Sequence, residues 1–241
     1  MTELSPLESI WTDRPAAAPR EGLTIDRIVA TAIEIADAEG LAAVAMGRVA
    51  KRIGFTPMAL YRHIAGKDEL VLRMQDRAIG RPPPDLRLTG DWRADLRRWA
   101  WASVAPVRAH PWYVQTLSTF GAVTPSHLAW MELALQALAP TALAEAEKVE
   151  TIMLINAHVI GDMTFHAIES ATEVPGVYGD VLARFLDPER FPAFVRAAAA
   201  GVFTAPSDPA ADRDELFSFG LERILDGVEA YLHQTDAGAA S

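Results

Sequence analysis

The chain has 241 residues, half of them hydrophobic and 22% charged, a globular balance with room for one or two cored domains. It contains no cysteine, which excludes disulfides, thiolate metal sites and cysteine nucleophiles. No apolar run approaches the roughly 18–20 residues that span a bilayer, and MTELSPLESIW lacks the basic-then-apolar pattern of an export signal, so a soluble cytoplasmic protein without a membrane partner is expected. The formal net charge of −10 is unevenly spread: residues 1–80 carry 10 basic and 11 acidic side chains, and residues 81–241 carry 12 and 21. Between Leu41 and Lys67 there is no Asp or Glu, yet Arg48, Lys51, Arg52, Arg62 and Lys67 all fall there. A local positive patch on an acidic chain suits a polyanion such as nucleic acid.

Residues 1–22 contain Pro6, Pro15, Pro19 and Ala16-Ala17-Ala18 without helical periodicity and are expected to form a flexible arm. Trp11 within it either tucks against the body or stands exposed. A first helix is predicted from Thr24 as N-cap, with Leu23 and Ile28 as a staple and Gly40 as terminator. Met46, Val49, Ala50 and Ile53 share one face of a short second helix, with Arg48, Lys51 and Arg52 opposite and Gly54 ending it. A third helix follows at once: Thr56 caps it, Pro57 opens it, and Leu60 and Ile64 face inward, leaving Met58, Tyr61 and Arg62 outward. Two short helices about a Gly turn form a helix-turn-helix. A fourth helix runs from Lys67 to about Ile79, and Gly80 with Pro82-Pro83-Pro84 marks a domain boundary.

Beyond it every signal is helical. Helices are predicted from Asp91 to about Ala109, from Thr124-Pro125 to about Leu138, over roughly 143–172, and over 212–234, with shorter ones at 177–186 and 189–200 and a loose DAGAAS tail. The predicted fold class is all-α.

The run ADAEGLAAVAMGRVAKRIGFTPMALYRHIAGKDEL, with Tyr61-x-His63, its spacing to Lys67 and Leu70, and the Gly54 turn, resembles the DNA-binding domain of TetR-type (tetracycline-repressor family) regulators. Arg108-Ala109-His110-Pro111-Trp112 looks like the start of a tetracycline-repressor-type C-terminal domain. The resemblance implies a repressor of the TetR type: residues 23–80 bind double-stranded DNA at a palindromic operator, and residues 85–236 bind a small-molecule effector and dimerise. No enzymatic activity or cofactor is implied. A homodimer bundle built from residues 143–172 and 212–234 fits the wide apolar arc of Phe217, Gly220, Leu221, Ile224, Leu225, Val228, Tyr231 and Leu232.

By position in the resembled motif, Tyr61, His63 and Lys67 touch phosphates, a role their donor chemistry suits. Base reading falls to Pro57, Met58, Ala59 and Arg62. Arg62 either grips guanine or clamps a phosphate, Met58 and Ala59 pack on a thymine methyl, and Thr56 caps the helix while touching a phosphate. The chain departs from the pattern at Ala45 and Gly47, where a hydroxyl cap and a groove-reaching Arg are common; Arg48 is the replacement charge.

Five of six tryptophans fall between Trp92 and Trp130. Trp99, Trp112, Trp130, Met131, Met153 and Phe165, with Phe120, are candidates for an aromatic pocket that would take an apolar or planar ligand; the alternative, and for each residue singly the stronger reading, is a bulky core. His158, Asp162 and His166, at i, i+4 and i+8, share one helix face with Glu169 nearby. They are candidates for ligand contact, for a structural stripe, or for part of a metal site, although i to i+8 spans about 12 Å, too far for one ion. That stripe seeds the alternative of a helical metalloenzyme or small-molecule carrier; nothing else in the chain has catalytic spacing.

Overall fold

The computed structural model describes residues 6–12, 22–121, 123–171, 186–201 and 209–239, and among them there are helices and no strand. The elements are α1 (Pro6–Thr12), α2 (Ile25–Glu39), α3 (Met46–Ile53), α4 (Pro57–Tyr61), α5 (Lys67–Ile79), α6 (Trp92–Ala109), α7 (Tyr113–Phe120), α8 (Pro125–Leu138), α9 (Glu145–Ala171), α10 (Pro192–Ala199) and α11 (Pro209–Ala239). None of these helices is long and apolar enough to cross a membrane.

The N-terminal unit forms where its caps place it. Thr24 Oγ1 accepts the Arg27 amide at 3.2 Å and starts α2; Thr56 Oγ1 accepts the Ala59 amide at 3.3 Å and starts α4. Gly54, at φ 80°, makes the left-handed turn between α3 and α4 that a side chain would strain. Ile28, Ile35, Val49, Leu60, Ile64, Leu70 and Met74 close the small core beneath them. Ala45 supplies no side-chain cap to α3, as its methyl group dictates.

α5 is the centre of the molecule. It packs on α1 and α2 on one side and on α6, α7 and α8 on the other, so Glu69 to Gln75 are buried without interruption. A helix covered all round has no solvent stripe; here Glu69 and Arg73 lie inside as a hydrogen-bonded ion pair, and Gln75 does so with only its Nε2 bonded, to the Gly121 carbonyl. The linker after α5 is tied down by Asp95, which accepts the Thr89 and Gly90 amides at 2.9–3.1 Å and is 1% exposed.

In the C-terminal unit α11 lies along α9. Phe217, Leu221 and Leu225 meet a core that includes Ile152, Ile155, Val159 and Met163. A polar seam locks α11 to α6: Arg93 reaches Glu222 at 2.7 Å and Glu229 at 3.1 Å and also pairs with Asp226, while Arg97 pairs with Glu222.

Three expectations need correction. The arm is not wholly irregular, because Pro6 and Glu8 start a short helix whose Ile10 is buried against the body; Trp11 stands 47% exposed. α7 is an additional helix, whose first turn follows directly on the His110-Pro111 break. The last helix is longer than 212–234 and takes in Asp236 to Ala239 of the supposed tail. The helix expected at 177–186 lies almost entirely outside the described residues.

Candidate nucleic-acid interface

α4 offers its outer face to solvent. Met58 is 69% exposed and Tyr61 50%, and Thr56, Pro57, Arg62, His63 and Lys67 are also exposed, with Ala59 half-buried between them. Leu60 and Ile64, on the opposite face, are at most 1% exposed, so the core fixes which side chains point out. Tyr61, Arg62, His63 and Lys67 have no side-chain hydrogen bond or ion pair among the described residues, which leaves their donors to an external acceptor. The structure therefore brings the expected residues of α4 and the start of α5 onto one surface. Arg48 is engaged differently: it pairs with Glu39 of α2, both side chains nearly half exposed. Such an exposed pair is worth about 0–1 kcal/mol and gives way easily to a phosphate.

The expected effector residues are not gathered into one pocket. Trp99 and Trp130 are buried, 6.2 Å apart edge to face, and their indole N–H groups donate to the carbonyls of Trp130 and Gly80 respectively at 2.9 and 2.8 Å. Trp112 is buried and donates to Asp37 of α2 at 2.6 Å. Met131 packs partly buried on the core, whereas Met153 (53%) and Phe165 (69%) project from α9 into solvent. The side chains of Phe120, His166 and Glu169 lie outside the described residues.

The His158/Asp162 face is a packing seam. His158 Nε2 donates to the Phe217 carbonyl at 2.9 Å and its ring stacks on Phe217 at 4.8 Å. Asp162, with 4% of its side chain exposed, pairs with Arg108 at 3.2 Å, and Arg108 also holds Asp214 at 2.6 Å. The small residue that permits this approach is Gly220, where a Cβ would lie 2.3 Å from His158 Cε1. Both groups are spent on protein partners, and among the described residues no three His, Asp or Glu converge as metal ligands would.

Comparison with known proteins decides the class. Residues 28–74 match the model for bacterial regulatory proteins of the tetR family, and residues 84–232 match the tetracyclin repressor-like C-terminal domain. The chain belongs to the TetR family. It is 36% identical over 237 residues to the HTH-type transcriptional repressor DrrR1 of Streptomyces coeruleorubidus, covering 95% of this chain and 86% of that protein. Apo ActR from Streptomyces coelicolor superposes with a TM-score of 0.73 at 26% identity, over 91% of this chain and all of ActR. ActR in complex with actinorhodin matches at 0.72 and 25%, over 88% and 98%. As a TetR-family member the chain is a DNA-binding transcriptional regulator with an N-terminal helix-turn-helix and a C-terminal helical domain.

In this TetR-family chain a set of polar contacts that the sequence did not reveal joins α2 and α5 to the C-terminal helices. Asp37 of α2 takes the Trp112 indole and, at 2.8 Å, His110 Nδ1. Asp76 accepts the Ser126 amide at 2.8 Å, and Gln75 Nε2 donates to the Gly121 carbonyl at 2.8 Å. Gln75 Oε1 is buried and has no hydrogen-bond partner among the described residues. Beside Asp76, the His127 ring stacks on Tyr113, contacts its hydroxyl, and meets Thr124 Oγ1 at 2.7 Å. Burial holds the His127 imidazole down to about 4, against the pull of Asp76, and pushes the Tyr113 hydroxyl well above its ordinary value. His127 is therefore neutral at pH 7. The partners of Asp37, Gln75 and Asp76 are 46–75 residues away in sequence, and no local spacing signals them.

Proposed function

We propose that the protein is a cytoplasmic, ligand-responsive repressor that binds a palindromic operator as a homodimer and leaves it when a small, largely apolar molecule binds near the domain junction. The observation that carries this reading is the outward face of α4, with Tyr61, Arg62, His63 and Lys67 exposed around Met58 and without partners among the described residues. Arg62 and Met58 read bases; Tyr61, His63 and Lys67 fix the register on phosphates. A five-residue α4 reads few bases, so two heads on half-sites about 34 Å apart supply the specificity.

Two surfaces support the remaining parts. Val149, Met153 and Leu154 of α9 and Leu216, Phe219 and Tyr231 of α11 are all more than 40% exposed. Between the two helices runs a groove of about 640 Å³ lined by Leu143, Leu154, Ile224 and Val228 among others. A second copy laying its own α9 and α11 there would complete a four-helix bundle. For the effector, the ActR structures hold (S)-DNPA and actinorhodin. In this chain Trp99, Trp112, Trp130 and Tyr113 surround the junction, and Gln75 Oε1 is the acceptor left over for a donor on the incoming molecule. Because Gln75 sits on α5, a ligand bonded to it moves the helix that carries both the head and the domain interface.

Selection from random duplexes by the purified protein tests the reading: recovery of an inverted repeat with half-sites one helical turn apart supports it, and recovery of no preferred sequence rules it out. For the switching step, spin labels on the two heads of the dimer should report a changed separation when ligand releases DNA. Release at unchanged separation contradicts that step.

A further inference from the structure

We propose that α1, which lies outside the segment matched to the family's DNA-binding domain, is a positioning element that acts through Glu69 to hold the phosphate-contacting loop between α4 and α5. The proposal rests on the reading above that His63, within this loop, and Lys67, at its end, face phosphates.

Gly66 precedes α5 and offers no side-chain cap. Glu69, three residues on, does that work by reaching back: its Oε2 accepts the Ala65 amide at 2.7 Å. This is like the return half of a capping box moved one residue outward, since the amide taken is that of Ala65 and not of the N-cap Gly66. The other carboxylate oxygen is committed to α1. Ser9 Oγ donates to Glu69 Oε1 at 2.8 Å, Arg73 Nε donates to the same oxygen at 2.8 Å, and Arg73 Nη2 reaches Ser9 Oγ at 3.3 Å. Glu69 and Arg73 are 4% and 8% exposed, and Ile10, one residue from Ser9, is 7% exposed. One carboxylate thus joins α1 to the loop backbone, and α1 is the lid that keeps water from it.

A buried charge pair keeps one geometry only while every lone pair is satisfied and solvent stays out. Undocking α1 removes the Ser9 donor and admits water, freeing Glu69 to turn from the Ala65 amide. The loop then loses its cap, and His63 and Lys67 lose their fixed spacing. α1 does not act by touching DNA itself, since residues 1–12 carry Glu3 and Glu8 and no Lys or Arg.

The test uses the full-length protein with Ile10→Asp, which undocks α1, and Ser9→Ala against Ser9→Thr, which keeps the hydroxyl. Amide hydrogen exchange is read at residues 63–67, and operator affinity is read across a salt series. Ile10→Asp should speed exchange of the Ala65 amide about tenfold or more while α2 and α3 exchange as in wild type. Operator affinity should fall about tenfold, with a salt slope shallower by roughly 1 for each phosphate that is no longer neutralised. Ser9→Ala should move both readouts in the same direction, and Ser9→Thr should restore them. Unchanged Ala65 exchange in Ile10→Asp overturns the proposal, as does acceleration spread evenly over α2 to α4, which would mark a general loss of stability. If the exchange changes as expected but the wild-type protein has no preferred duplex, the failure lies with the DNA reading and not with the link from α1 to the loop.

Discussion

Gly220→Ala should destabilise the wild-type protein yet stabilise a His158→Ala background. The new methyl would lie 2.3 Å from His158 Cε1 and 2.8 Å from Nε2, so the ring must leave its seat on α11. Leaving forfeits the bond to the Phe217 carbonyl, worth about 1 kcal/mol, and the stack on the Phe217 ring, worth about 0.5–1.5 kcal/mol. Replacing a helical Gly by Ala returns about 0.5–1 kcal/mol. The net cost is about 1 kcal/mol in the wild type, whereas without the imidazole only the gain remains. Urea denaturation of the four proteins at one fixed concentration measures both signs and their coupling, expected near 2 kcal/mol. If Gly220→Ala stabilises both backgrounds equally, the His158 seam is not what holds α9 to α11 at this point.

At the reading head, Arg62→Ala should relax preference at one base position, whereas Lys67→Ala should weaken all duplexes alike and lower the salt slope by about 1; competition binding separates the two. Ala45→Ser should stabilise the N-terminal unit by about 1 kcal/mol by supplying the cap that α3 lacks, checked by thermal melting. The His127 imidazole is held at about 4 against an ordinary 6.5. Folded-state stability from its neutral form is therefore complete above pH 6.5 and is lost as pH falls toward 4, by as much as about 3 kcal/mol. His127→Gln should flatten that slope, and a wild-type stability that stays level between these pH values would contradict the buried, neutral assignment. Glu222, held at about 2 by hydrogen bonds from Arg97 and Arg93 against an ordinary 4.5, should add a second loss below pH 4.5 that Glu222→Gln abolishes.

Features whose cause is local were legible in the sequence. Thr24, Thr56-Pro57, Gly54 and Asp91 act on residues within a turn of themselves, and each stands at the helix end expected of it. The outward set of α4 followed from Leu60 and Ile64 pointing inward. Features whose cause is distant were not legible. His158 and Asp162 do share a face at i, i+4, but nothing near them in the sequence named Phe217 and Arg108 as their partners. Glu69, Arg73 and Gln75 look like solvent-facing residues until α1, α7 and α8 cover them. Of the two readings open for the tryptophans, pocket or bulky core, Trp99, Trp112 and Trp130 follow the core, and each donates its indole N–H to a specific oxygen, the last two across the domain junction. α1 was hidden because seven residues among prolines carry too little periodicity to count.

The most direct measurement is an equilibrium titration of the purified protein on its selected operator and on the same bases scrambled, at one stated salt concentration. A sequence-reading α4 predicts at least about a thousandfold preference for the operator, with most of the binding abolished on scrambling. Equal affinity for the two duplexes would contradict it.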